Sequence, residues 1–464
     1  MIKLDYSSSN LKKIEDAPSK QKDFMAIWRD SSLRRVYKKY FKKYVVVQSF
    51  ITFFWRIVVP VCYRHFKILK VSLINAKETK WRPLIKLCEY VDHKNLQTYK
   101  LEDEIIVEPT ETVVFPFADK DYFLSSEIYT KFPEVYVATI KKGTIYGDSN
   151  FIFVEEDVIC HDLYDFKKDY SNEELRCRAI INPKLNNIRW LVHDEKPDRI
   201  SAAAAFVDAN ALNYAHWLSE VLPRVILFCS DERFKNIPIV VNDGLHKNIM
   251  ESLLIAVGYD REVFFLPVGK ALCCDQLYVV SATGYVPFDW RNRKIVNPSH
   301  GLFHANALNN LRLQYINIES VSENIVWPDK IFISRNSGTR KCTNSDEIEK
   351  QLSKRGYTTV HPEKLSFMEQ VEIFKNATTI IAPTGAGLAN AIFCKPGASL
   401  GILMARHERM IYRYWTNMLA CRRLKIFYVL GDIIKNNKFG IHGDFAVNQH
   451  DFIRFIEAIE GNDV

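Results

Sequence analysis

The chain has 464 residues, 47% of them hydrophobic and 25% charged, with 17 Gly and 17 Pro. That length exceeds one ordinary core and predicts two or three folded units, while the composition excludes a collagenous, low-complexity or wholly disordered chain. The net charge of +8 is lopsided: residues 1–80 hold 18 Lys/Arg against 6 Asp/Glu, so the rest of the chain is slightly acidic.

Within that basic end lies the most apolar run, Val45 to Tyr63. Gln48 and Arg56 interrupt it and Pro60 would kink a helix, which makes it a poor membrane span. It starts too late and after too many charges for a cleaved signal peptide. Flanked by Lys38, Lys39, Lys42, Lys43, Arg64, Lys67 and Lys70, residues 34–70 read as a helical segment lying on an anionic membrane surface. The competing reading is a helical hairpin packed on the body. Nucleic acid is not an expected partner, because the aromatics sit in the apolar run and do not alternate with the basic residues. The ten cysteines are scattered without a C-x-x-C pair, which speaks against a zinc ribbon and for a reducing, cytoplasmic setting, peripheral on the inner face of the membrane.

Residues 81 to about 200 read as β-rich and irregular, with short strands at Ile105–Glu108, Thr112–Phe115, Val135–Thr139 and Phe151–Val154. From residue 201 strands and helices alternate. Strands are expected at Ala202–Val207, Ile237–Val241, Val263–Leu266 and Leu277–Ser281, and helices at Tyr214–Phe228 and His246–Val257. His300–Leu313 is expected to link this block to a second one. There the strands are Ile331–Ser334, Tyr357–Val360, Thr378–Ala382 and Ser399–Met404, with helices at Ser345–Arg355, Phe367–Lys375 and from Leu388. Such alternation predicts parallel sheets covered by helices.

Two motifs carry chemistry. On a helix from Tyr214, the residues Asn213, His216, Glu220 and Arg224 share one face at spacings of 3, 4 and 4. A polar stripe facing water gives the same pattern. A carboxylate four residues from a histidine is also a common way to set the protonation of a base. A zinc motif would need a second histidine at position 220, so no metal is implied. The second motif runs Ile380 to Asn390: an apolar strand ends at Pro383-Thr384, Gly385-Ala386-Gly387 makes a turn, and a helix begins at Leu388, with Asn390 in its first turn. That order places free N–H groups at a strand end and suits a phosphate, although a plain strand–helix connection looks alike. Ser334, Arg335 and Arg340 follow another strand end and offer two guanidinium groups to the same anion.

The stretches Asn213–Arg224, Ile331–Arg340 and Phe367–Phe393, in this order, resemble glycosyltransferase family 61, including its bacterial capsule and surface-polysaccharide members. The resemblance implies an α/β, GT-B-like fold of two Rossmann-type lobes facing a cleft, here with a basic helical N-terminal extension. The divisions expected are 1–80 for that extension, 81–310 for an acceptor-side lobe, 311–445 for a nucleotide-sugar lobe and 446–464 for a C-terminal helix. It further implies an inverting transferase that needs no cofactor or metal and moves a sugar from a UDP-linked donor to a glycan or lipid-linked acceptor. Glu220 takes the position of the base and His216 its neighbour; Asn213 and Arg224, on the same helix face, are the expected acceptor or support residues. Ser334, Arg335, Arg340, Pro383, Thr384, Gly385, Ala386, Gly387, Leu388 and Asn390 align with the donor diphosphate site. Two departures stand out: Thr384 replaces a histidine usual in the family, and the strand after Pro396-Gly397 lacks an acid. They motivate an alternative, a catalytically degenerate member serving as a membrane-associated binding or assembly subunit.

Overall fold

The computed structural model describes residues 11–13 and 80–461, apart from 109, 111, 120–129, 177, 193, 195, 259, 288, 292–300, 319–324, 336–338, 408, 409, 411 and 435–442. The apolar run 45–63 and the segment 34–70 lie outside the described residues; of the extension read as helical, Leu11–Lys13 is described, and it is a strand.

Two large sheets organise the chain. The first runs Leu11–Lys13, Val263–Leu266, Ile239–Asn242, Asp198–Ala205, Ala271–Val280, Val135–Tyr146, Ile152–Val154, Asp157–Cys160, Trp81–Lys86, Asn187–Trp190 and Ala179–Asn182, with Thr98–Glu102 also paired to Val135–Tyr146. Its first five strands are mutually parallel; Val135–Tyr146 then pairs antiparallel to Ala271–Val280. The central strand Asp198–Ala205 ends in four alanines, and Ala203 and Ala204, on opposite faces, are wholly buried. A parallel strand covered on both faces has no polar alternation, and alanines let the covering layers close in.

The second sheet is parallel through Thr358–Val360, Lys330–Ile333, Thr379–Pro383, Ser399–Ala405 and Lys425–Ile433. Thr112–Phe115 extends it, parallel to Lys425–Ile433, although it lies far earlier in the chain. The helix Gln449–Ile459 covers this edge, with Phe455 edge-on to Phe115 at 6.3 Å. The expectation of a mixed α/β fold holds.

One continuous apolar core runs between the sheets. The helix Ala305–Ile316 sits in it: Tyr315 donates its hydroxyl to the Ser252 carbonyl at 2.7 Å and packs edge-on against Phe367 at 4.8 Å. Glu251, on the helix Lys247–Val257, accepts from the Phe367 N–H at 2.9 Å. A buried carboxylate of the first half thereby caps the helix Phe367–Asn376 of the second, where the helix dipole favours negative charge.

Candidate active site

Asn213 caps the first catalytic-motif helix, its side chain accepting from the Ala215 N–H at 3.1 Å. The sequence predicts one α-helix from Tyr214 to Phe228. The structure divides it into α-helix at Tyr214–His216, a π turn at Trp217–Val221 and α-helix at Leu222–Cys229. Pro223 is the physical reason. It has no N–H for the Ser219 carbonyl, and in a regular α-turn its ring would strike that carbonyl. Leu222 N–H reaches instead to the Trp217 carbonyl, five residues back. Gly284 makes room for the result, since a Cβ there would stand 2.6 Å from the Ser219 carbonyl oxygen.

This geometry brings His216 Nδ1 to 2.5 Å from Glu220 Oε1, with both residues buried. Burial works against an imidazolium, but the Glu220 charge and hydrogen bond outweigh it, so His216 titrates above its ordinary value. Arg224 is a brace behind the pair: Nε donates to the Glu220 carbonyl at 2.8 Å and Nη2 to Asp208 Oδ2 at 3.1 Å. Asp208 also accepts from Asn150 Nδ2 at 3.1 Å and from the Asn210 N–H at 2.8 Å. Burial raises the Asp208 carboxyl; Arg224 pulls it down and the Glu220 charge pushes it up again.

At the second motif, the fully buried strand Thr379–Pro383 leads into a 3-10 helix that starts at Ala386, two residues before the expected Leu388, and runs to Phe393. The N–H groups of its first residues have no acceptor within the helix. Arg335, just past the strand Lys330–Ile333, lies across the turn, with Nη1 donating to the Thr384 carbonyl at 2.7 Å and Nη2 to the Thr339 carbonyl at 3.3 Å. A Cβ on Gly385 would fall on Arg335 Nη1. The glycine is therefore required by space; its φ of 174° is ordinary extended backbone.

Arg335 and Arg340 pair with no carboxylate among the described residues, and the Nε of each is buried without a hydrogen-bond partner. Burial, with the Arg340 charge added, lowers the Arg335 guanidinium to about 10, and burial lowers Arg340 as well. Two half-buried cations with no carboxylate partner among the described residues, beside a glycine turn, have the chemistry to hold an anion. Ser334, Ala386 and Gly387 are half-exposed around it, whereas Pro383, Thr384 and Leu388 are buried and shape the turn from below. The Thr384 hydroxyl accepts from Trp415 Nε1 at 3.2 Å.

Asn390 is placed differently from its expected position at the helix mouth. It is fully buried, accepts from the Tyr214 hydroxyl at 2.7 Å and donates to Gln370 Oε1 at 2.7 Å. Both motifs are thus tied together through Asn390. A second link runs from Ser219 to the Tyr414 hydroxyl at 3.5 Å, and on through the edge-on Tyr414–Trp415 pair to Thr384. Replacing Asn390 by Ala is expected to destabilise the fold by about 3 kcal/mol, since Tyr214 and Gln370 would both lose buried partners; urea unfolding measures it. Sequence reasoning missed Asp208, Gln370, Tyr414 and Trp415. Asp208 had a signal, because it lies just past the alanine strand, at the end where ligands bind in open sheets.

A buried acid–histidine pair linked to two guanidinium groups that have no carboxylate partner among the described residues suits group transfer with an anionic leaving group. Residues 214–401 match the family described as Glycosyltransferase 61, a stretch that contains His216, Glu220, Arg335, Arg340 and the glycine turn. Residues 214–401 thus carry a glycosyltransferase family 61 domain, which supports a glycosyltransferase. No match to the chain was found among curated proteins.

Proposed function

We propose that this glycosyltransferase is inverting and metal-independent, and transfers a sugar from a UDP-linked donor to a glycan or lipid-linked acceptor in capsule or surface-polysaccharide synthesis. The observation that carries this reading is the Glu220–His216 pair, whose turn is joined through Ser219, Tyr414 and Trp415 to the turn under Arg335. In it, the two sheets serve as GT-B-like lobes, the first on the acceptor side and the second on the donor side. Glu220, with His216 beside it, takes the proton of the acceptor hydroxyl as its oxygen bonds to the anomeric carbon in line. The bond from that carbon to the diphosphate breaks, and the charge released on the nucleotide passes to Arg335, Arg340 and the N–H groups of Ala386 and Gly387. No helix among the described residues is long and apolar enough to cross a membrane. In this proposal the basic segment 34–70 holds the enzyme peripherally on the cytoplasmic face, near lipid-linked acceptors.

The test is a thermal-shift series of the full chain with UDP, GDP, CDP and CMP, with and without EDTA. UDP at a hundred times its Kd adds about 2.7 kcal/mol to the native state and is expected to raise Tm by several degrees, unchanged by EDTA. A shift abolished by EDTA would overturn metal independence. No shift with any nucleotide would favour the degenerate, binding-only reading.

A further inference from the structure

A cavity of about 50 Å³ adjoins Glu220 within the first half of the molecule, with room for a few water-sized groups. Its polar wall comprises Ser149, Asn150, His161, Asp208, Glu220 and Arg224; strand side chains such as Ile145, Ile152 and Val279 supply an apolar wall. Several of the polar groups already have protein partners: Ser149 donates to Glu173 at 3.0 Å, Asn150 Oδ1 accepts from the Ala209 N–H at 2.6 Å, and Asp208 and Arg224 bond each other.

His161 is different. Its Nδ1 is buried and has no hydrogen-bond partner among the described residues. His161 is flanked by anchored residues. It follows the strand Asp157–Cys160, and the next residue, Asp162, is anchored by the Cys88 N–H at 2.7 Å and the Tyr136 hydroxyl at 2.9 Å. The imidazole packs at 4.8 Å from Tyr285 and 5.9 Å from Tyr164. Burial, then the charges of Arg224 and Lys86, push it down to about 3, so it is neutral at physiological pH. An unpaired buried nitrogen costs about 1–3 kcal/mol, which a ligand hydroxyl would remove.

We propose that His161 binds the acceptor: its Nδ1 hydrogen-bonds one hydroxyl of a vicinal diol while the neighbouring hydroxyl is presented to Glu220. The substrate class is a sugar or related polyol with adjacent free hydroxyls, of which one CHOH–CHOH edge enters the cavity and the ring stays outside. The apolar wall suits the C–H face of such an edge. His161 is then a residue that touches substrate without moving the proton. This assignment rests on the glycosyltransferase reading above.

The experiment uses the full chain with isotope-labelled histidine and follows its imidazole nitrogens by NMR as methyl hexopyranosides are added, with cyclohexanol as the single-hydroxyl control. His161→Phe, which keeps the ring against Tyr285, assigns the resonance; His161→Asn serves if that variant does not fold. The expected result is a methyl hexopyranoside, but not cyclohexanol, moving the His161 signal, and about tenfold weaker sugar binding in the variant. A His161 signal unmoved by every glycoside, or equal sugar binding in the variant, would overturn the proposal. The UDP thermal shift is recorded on the same samples. UDP binding without a sugar response defeats the His161 assignment alone, whereas absent UDP binding defeats the nucleotide-sugar reading and leaves the His161 response to decide this one.

Discussion

Replacing Glu220 by Gln is expected to lower kcat about a thousandfold while leaving the UDP thermal shift intact. The substitution keeps the side chain's shape and removes its charge and with it the ability to take up a proton. Glu220 is the carboxylate hydrogen-bonded to His216; the Arg224 brace holds its backbone carbonyl, and the Gly284 clearance concerns the Ser219 carbonyl and Glu220 Cγ, which glutamine keeps, so the fold should tolerate the change. The pH dependence adds a second readout. His216 titrates above its ordinary 6.5 in the folded chain, so the imidazolium–carboxylate pair stabilises the fold fully below 6.5. That stabilisation is lost as pH rises through the higher folded value. Activity should run the other way, because the pair can take the acceptor's proton only after shedding that one: kcat/KM rises through the same range. In Glu220→Gln the acid limb should vanish along with the rate. Turnover within about tenfold of the unmodified enzyme in a folded variant would assign the base elsewhere, with Asp208 the adjacent buried carboxylate to examine next.

Much of the parallel framework was legible because its signals are local. Val263–Leu266 and Thr379–Pro383 are short apolar runs bounded by turn residues, and their positions follow from the sequence almost residue for residue. The π turn was not legible. It depends on Pro223 together with clearance at Gly284, and no periodicity connects two residues so far apart. Thr112–Phe115 reads correctly as a strand, but its choice of the second sheet is a long-range pairing that local pattern does not encode. At the site, the i, i+4 spacing of His216 and Glu220 is legible in the sequence, although the turn that carries their contact is a π turn and not the expected α-helix. The placement of Asn390 is not legible: a polar residue beside a glycine turn invites assignment to a ligand, whereas its partners Tyr214 and Gln370 come from two other helices. His161 carries no motif at all, and only its packing reveals a nitrogen with no partner among the described residues.

Gly385→Ala is expected to weaken UDP binding by roughly tenfold to a hundredfold without unfolding the protein. The added methyl falls on Arg335 Nη1, and one of the two must yield. The backbone is poorly placed to do so, because the preceding strand is fully buried and the Thr384 N–H is bonded to the Leu403 carbonyl at 2.8 Å. The guanidinium is half-buried at the end of a long side chain, so it is the part that swings away and gives up its bonds to the Thr384 and Thr339 carbonyls. Extended backbone at position 385 accepts alanine, and the cost in stability should stay within the few kcal/mol typical of local overpacking. What is lost is a cation held ready for a diphosphate, and charged hydrogen bonds of that kind contribute about 1.5–3 kcal/mol each. If the glycine acts through Arg335, then Gly385→Ala placed on Arg335→Ala should weaken UDP binding little further than Arg335→Ala alone. Calorimetric titration of UDP into the two single variants and the double variant measures this directly. Losses that add in full would show that Gly385 meets the nucleotide by itself, through its own backbone, and that Arg335 is not the link.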